Sequence, residues 1–247
     1  MSSLFDGIHH GLKQVSPDLR LTEKKQRQRR SLYPVNAAIG ISVSDAFLLG
    51  AQPVVVEGVS DQHHLTAMKG HLVASGALQP QRDLVFVPAD GVRAVKAIAS
   101  ILAGPKEDLP FVVLDGDEEG RKLASNLKSK LYASAKERVI TIDAITGREG
   151  DEIEDLWPTE FFADAASRLL RAADEDFRDV VSTDKPIVDQ VEAFATGEGI
   201  ELERPGWKVE AAKLLRVRLV KRPEGVAGSV ANQWADLFGR LLGKAPA

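Results

Sequence analysis

Between residues 51 and 145 four short apolar runs recur at near-regular intervals, each separated from the next by a longer amphipathic stretch. The runs at 54–56, 84–87, 111–114 and 139–142 are too short for helices and rich in β-branched residues, which predicts buried strands. The stretches at 63–75, 92–103 and 121–133 carry apolar residues at helical spacing. Strand alternating with helix predicts an α/β fold: a parallel β-sheet flanked by helices on both faces and joined by right-handed crossovers. Beyond residue 150 the strand pattern fades. Helices are predicted at 161–173, 187–196, 209–220 and 229–242, the last with an apolar stripe through Val230, Trp234, Leu237, Phe238 and Leu241. The expected organisation is an N-terminal connector at 1–50, an α/β domain at 51–148 and an additional α-helical subdomain at 149–247.

Composition narrows the functional classes. The chain has no cysteine, which excludes a disulfide scaffold, a thiolate metal site and a cysteine nucleophile. No apolar run approaches the roughly 18 residues of a membrane span, and the start MSSLFDGIHHG is too polar for a signal peptide, so a soluble, cytoplasmic protein is expected. With 32 basic and 36 acidic residues the net charge is −4, and nothing global marks a nucleic-acid binder. The charge is uneven, however: RLTEKKQRQRR at 20–30 is strongly basic, and EGDEIED at 149–155 holds five acids and no base.

The acids carry the chemistry. The first apolar run leads straight into Glu57-Gly58, with Asp61 close behind. The third leads into Asp115-Gly116-Asp117. Ligand sites in open parallel sheets gather at the carboxyl ends of strands, so Glu57, Asp115 and Asp117 should share one rim. Crowded carboxylates repel one another and would protonate unless something positive lay between them. A hard divalent ion such as Mg²⁺ removes that conflict, and two such ions suit hydrolysis of a phosphodiester. The same residues also fit plain structural roles: Asp-Gly is turn chemistry, and Asp61 could cap a helix. Asp151 and Asp155 are expected to face solvent. His63 and His64 are expected to be packed or exposed histidines and not ligands, and Trp157, Trp207 and Trp234 to be core.

VVVEGVSD at 54–61, followed by VVLDGDEEG at 112–120, resembles the Toprim domain of topoisomerases, bacterial primases, recombination mediators and certain nucleases. In its detail the chain is similar to the nuclease region of the overcoming-lysogenization-defect (OLD) family. There Glu-Gly-x-x-Asp is followed, past the Toprim fold, by Glu-x-Glu, matched here by Glu152 and Glu154 in DEIEDLWP. The resemblance implies a two-metal site, Mg²⁺ or Mn²⁺, with Glu57, Asp61, Asp115, Asp117, Glu152 and Glu154 as ligands or ligand supports. It further implies a catalytic lysine in the helical region, best matched by Lys208 in PGWKVEAAKLL with Lys213 as the fallback, and a helical subdomain that completes the active site. Glu152 and Glu154 taken alone fit the first turn of a helix equally well. The family also carries an N-terminal ATPase, expected as a partner domain. No Gly-x-x-x-x-Gly-Lys-Ser/Thr occurs here, so ATP hydrolysis by this chain alone is not expected.

The expected function is a metal-dependent DNA endonuclease. Arg20 to Arg30, Arg168, Arg171, Lys213, Arg216, Arg218, Lys221 and Arg222 would contact phosphates with little sequence specificity. Two alternatives stay open. One is a non-catalytic Toprim module that binds DNA or protein. The other is a haloacid-dehalogenase-like phosphatase, whose strand-end Asp-x-Asp the LDGD sequence matches locally.

Overall fold

The computed structural model of the protein describes residues 50–80, 82–103, 108–203 and 206–243. The basic segment at 20–30, and the connector but for Gly50, lie outside them. Four strands fall where the apolar runs predict them: β1 (Gln52–Val56), β2 (Leu84–Pro88), β3 (Phe111–Leu114) and β4 (Val139–Thr141). They form one all-parallel sheet in the order β2-β1-β3-β4. Val54 pairs with Phe86 on one side and Phe111 on the other, and Leu114 lies beside Thr141. Helices α1 (Val59–Ala74), α2 (Val92–Ala103) and α3 (Glu118–Ser129) make the crossovers. Six more follow: α4 (Asp143–Thr146), α5 (Thr159–Leu169), α6 (Phe177–Val180), α7 (Ile187–Gly197), α8 (Gly206–Lys221) and α9 (Gly228–Leu241). This is the expected class, a Toprim-like α/β sheet with an additional set of helices. None of the described helices is long and apolar enough to cross a membrane.

Period-two alternation explains how both faces of the sheet are buried. Val55, Val112, Leu114 and Val139 point to a core closed by Val95 and Ala99 of α2 and by Ala124 and Leu127 of α3. Val54, Val56, Phe86, Phe111, Val113 and Ile140 point the other way, into a larger core that continues through α1, α5, α8 and α9. In that core Trp157 stacks on Phe161 with centroids 5.7 Å apart and meets Trp234 edge-on at 5.9 Å. Trp157, Trp207 and Trp234 are all buried, as expected. The Gln52 side-chain amide also donates to the Leu241 carbonyl at 2.9 Å, tying the first strand to the last helix.

Two boundaries depart from the sequence reading for local reasons. Helix α1 begins at Val59, earlier than the apolar spacing predicts, because Asp61 accepts the Gly58 N–H at 2.9 Å and closes a capping arrangement. Ile142, read as strand, is already helical at φ −64° and ψ −37°, and its N–H reaches the Leu114 carbonyl at 3.0 Å. The turn this starts brings Asp143 against Gly116, where an added Cβ would lie 2.6 Å from the Asp143 Cβ.

The strand order decides where a site can form. The connection leaving β1 crosses to β2 on one side, and the connection leaving β3 crosses to β4 on the other. Loops that part in opposite directions leave a crevice at the carboxyl ends of β1 and β3.

Candidate metal centre

Glu57 leaves β1 and Asp115 leaves β3, so neighbouring strands carry them to that crevice. One Glu57 carboxylate oxygen accepts the Asp115 N–H at 3.0 Å. Asp61, on the first turn of α1, is buried and also accepts the Ser60 hydroxyl at 3.1 Å. Asp117 caps α3 by accepting the Gly120 N–H at 2.7 Å. Asp117 is thus the cap of α3, whereas Asp61 does not hold the N-cap of α1, which is Gly58, but closes its first turn from the third helical position; both contacts fix the carboxylates at the rim.

Glu152 and Glu154 reach the same rim because the segment after α4 is stitched to the Asp115 turn. Gly116 N–H donates to the Asp151 carbonyl at 2.7 Å, and Gly150 N–H donates back to the Gly116 carbonyl at 3.1 Å. Ile153 N–H meets the Asp115 carboxylate at 3.3 Å. A 3₁₀ turn at Ile153–Leu156 follows, with Asp155 accepting the Glu152 N–H at 2.9 Å. Glu154 is 1% exposed, and neither of its carboxylate oxygens has a hydrogen-bond partner among the described residues.

Lys208, on the first turn of α8, ion-pairs with Glu152. Lys213 pairs instead with Glu210 at 2.6 Å on the exposed side of the same helix, so only Lys208 meets the carboxylates. The electrostatics follow from burial and like charge. Burial first, then Asp61, pushes the Glu57 carboxyl up to about 7. Burial and then Asp61, Glu152, Glu57 and Glu154 push Asp115 well above the usual carboxylate range. Asp61 is raised by burial and Glu154. Glu152 reaches about 8: although it bonds to Lys208, burial and Glu154 outweigh the ammonium. Glu154 alone goes down, to about 2, because Lys208 and His64 overcome the cost of its burial. Lys208 is raised, since Glu154, Glu152 and Asp115 overcome its own burial.

Three features escaped the sequence reading. His64 is fully buried; its Nδ1 accepts the Trp157 indole N–H at 3.0 Å, and its Nε2 stands 3.6 Å from Glu154. With Nδ1 accepting, neutral His64 carries its proton on Nε2, facing the carboxylate. His64 is thus packed, as expected, but packed behind a rim acid. Asp143 adds a further acid beside Gly116, with one buried oxygen lacking a partner among the described residues. Asp151, expected to face solvent, is buried, and Asp155, half-buried as a residue, has a side chain only 2% exposed. Arg148 explains both, with its guanidinium 2.5 Å from Asp151 and 3.0 Å from Asp155, and Asp155 also accepts the Ile187 N–H at 2.8 Å. The four-residue spacing of Asp151 and Asp155 in an acidic block says nothing of which donors turn toward them. The paired Gly116 and Gly150 were the available signal that the backbone passes closely there.

Among the described residues no three His, Asp or Glu side chains already surround one point in a geometry that would hold an ion. The donor chemistry still fits a hard divalent cation. The donors are all oxygen, both oxygens of buried Glu154 lack hydrogen-bond partners among the described residues, and Glu57, Asp115 and Glu152 are held where their charged forms are costly. Comparison with protein-family models, curated proteins and solved structures finds no match.

Proposed function

We propose that this chain is a metal-dependent DNA endonuclease of the Toprim type, acting in the cytoplasm and hydrolysing phosphodiester bonds with Mg²⁺ or Mn²⁺. The observation that carries the reading is the gathering of acids from three separate stretches of chain around one lysine at the strand-order reversal. Glu57, Asp61, Asp115, Asp117, Glu152 and Glu154 would hold the metal. When bound, a pair of ions would activate water and stabilise the leaving oxygen of the phosphodiester.

The chain's own residues prepare that chemistry. Gly58, Gly120 and Ile153 donate backbone N–H groups that hold Asp61, Asp117 and Asp115 in place before any ion arrives. Lys208 keeps Glu154 ionised, and its ammonium would stabilise charge developing on a phosphoryl oxygen. A binding scaffold has no use for buried like charges of this cost, which favours catalysis over the non-catalytic alternative.

Nicking of supercoiled plasmid in a divalent-metal series tests the proposal. Wild-type protein should nick with Mg²⁺ or Mn²⁺, Asp115→Ala should abolish nicking while still retaining DNA, and Lys208→Met should slow nicking by about 10²–10³-fold. Plasmid left intact by folded wild-type protein in every metal would overturn the reading.

A further inference from the structure

We infer that the cleft between α3 and the edge strand β4 is a track for the phosphate backbone of duplex DNA, leading the duplex to the carboxylate rim. The inference rests on the nuclease reading but assigns DNA contacts to residues outside the rim. The cleft has a volume of about 430 Å³ and is lined by Arg121, Ser125, Lys128, Ser129, Lys136 and Thr141, with no carboxylate in its lining. Three cations and the Ser125 and Thr141 hydroxyls supply donors of the kinds that bind phosphate oxygens, while the Ser129 hydroxyl donates to the Asn126 carbonyl. In a chain of net charge −4 such a lining is not the average surface.

Two other cavities lack this character. One sets Glu160, Asp164 and Glu224 among its arginines and pairs Arg178 and Arg218 with Asp164. The other is lined by Asp151, Glu154, Asp155 and Glu160 against Arg148. In the α3–β4 cleft, Lys128 and Lys136 have no ion-pair partner among the described residues, and Lys136 is exposed. Arg121 is paired only with Glu149, itself largely exposed.

Geometry joins the cleft to the rim. Arg121, Ser125 and Lys128 recur at helical spacing on one face of α3. Arg121 Nε donates to the Asp117 carbonyl at 3.3 Å, one turn from a rim carboxylate. Thr141 ends β4 beside Leu114, the residue before Asp115. From Arg121 to Lys128 the helix rises about 10 Å. One strand of duplex DNA carries about three phosphates over that distance. A backbone lying in the cleft would therefore meet its cations in succession and end at the acids.

The test measures binding of a short labelled DNA duplex with Ca²⁺ replacing Mg²⁺, across a salt series. Lys128→Ala/Lys136→Ala should weaken binding about tenfold or more and lower the slope of log K against log salt by about 2. The control Lys122→Ala/Lys130→Ala removes the same charge from residues outside the cleft and should change binding by less than about threefold. Equal losses in the two doubles, or no loss in either, would overturn the track. If wild-type protein nicks plasmid but the cleft variant binds as well as wild type, the track alone falls. If wild-type protein neither binds the duplex nor nicks plasmid, the nuclease reading falls with it.

Discussion

Folding raises the Glu57 carboxyl from 4.5 to about 7 and that of Glu152 from 4.5 to about 8, chiefly by burial. A carboxyl raised in this way favours the folded state fully below its unfolded pKa, and that contribution is lost as pH climbs through the folded value. The metal-free protein should therefore lose stability between about pH 5 and pH 8. At 1.36 kcal/mol per pH unit the loss is about 3 kcal/mol for Glu57 and about 5 kcal/mol for Glu152. The two overlap, because a proton on one carboxyl relieves the repulsion felt by its neighbours, and at least the larger single loss, about 5 kcal/mol, is expected together. Asp115, also raised, acts in the same direction, whereas His63, lowered by burial and by Lys213, opposes it weakly. Glu154, lowered to about 2, keeps its contribution throughout this window. For a domain of this size about 5 kcal/mol is a fall of about 10–20 °C in melting temperature. Calorimetry in a chelator across that pH range measures it, and Glu152→Gln should flatten the fall. Saturating Mg²⁺ should reduce it as well, because the ions bind the charged carboxylates of the folded state. A metal-free melting temperature that stays level or rises from pH 5 to pH 8 would refute the idea that these acids are crowded in the fold.

Two further outcomes follow from single contacts. His64→Leu leaves the Trp157 N–H and buried Glu154 facing an apolar side chain and should weaken Mn²⁺ binding about 10–100-fold, measured by titration calorimetry. His64→Gln keeps a donor and should recover most of that loss, and equal losses would show that His64 only fills space. Gly120→Ala would set a Cβ 2.3 Å from the Asp115 carbonyl oxygen. It should cost about 2–3 kcal/mol in denaturant unfolding, and a cost under about 0.5 kcal/mol would mean that the Asp115 turn yields.

The parallel sheet was legible because its signal is local. Runs such as Val54-Val55-Val56 and Phe111–Leu114 are buried on both faces, so every residue in them must be apolar. The acids at the strand ends were legible for the same reason: a strand's exit fixes which residues meet the crevice. What the sequence hid depends on contacts between distant residues. His64 and Trp157 are 93 positions apart, and no helical or strand period links them. Asp151 and Asp155 looked like solvated charge although Arg148 is near in sequence, because the fold of that loop and the Ile187 N–H, 32 positions from Asp155, decide that their side chains are covered. Lys208 and Lys213 read alike as lysines on one helix; which of them turns inward depends on how α8 packs against α1.

The larger core draws on both ends of the described chain, from Val54 and Phe86 in the sheet to Trp234, Phe238 and Leu241 in α9. A fragment cut near residue 148 would leave α1 as the only long described helix on that side of the strands, strip away α5, α8 and α9, and carry off Lys208, Glu152 and Glu154 together. The rim and its helical cover are therefore inherited as a single piece, and neither half can be exchanged for a foreign module without rebuilding the other.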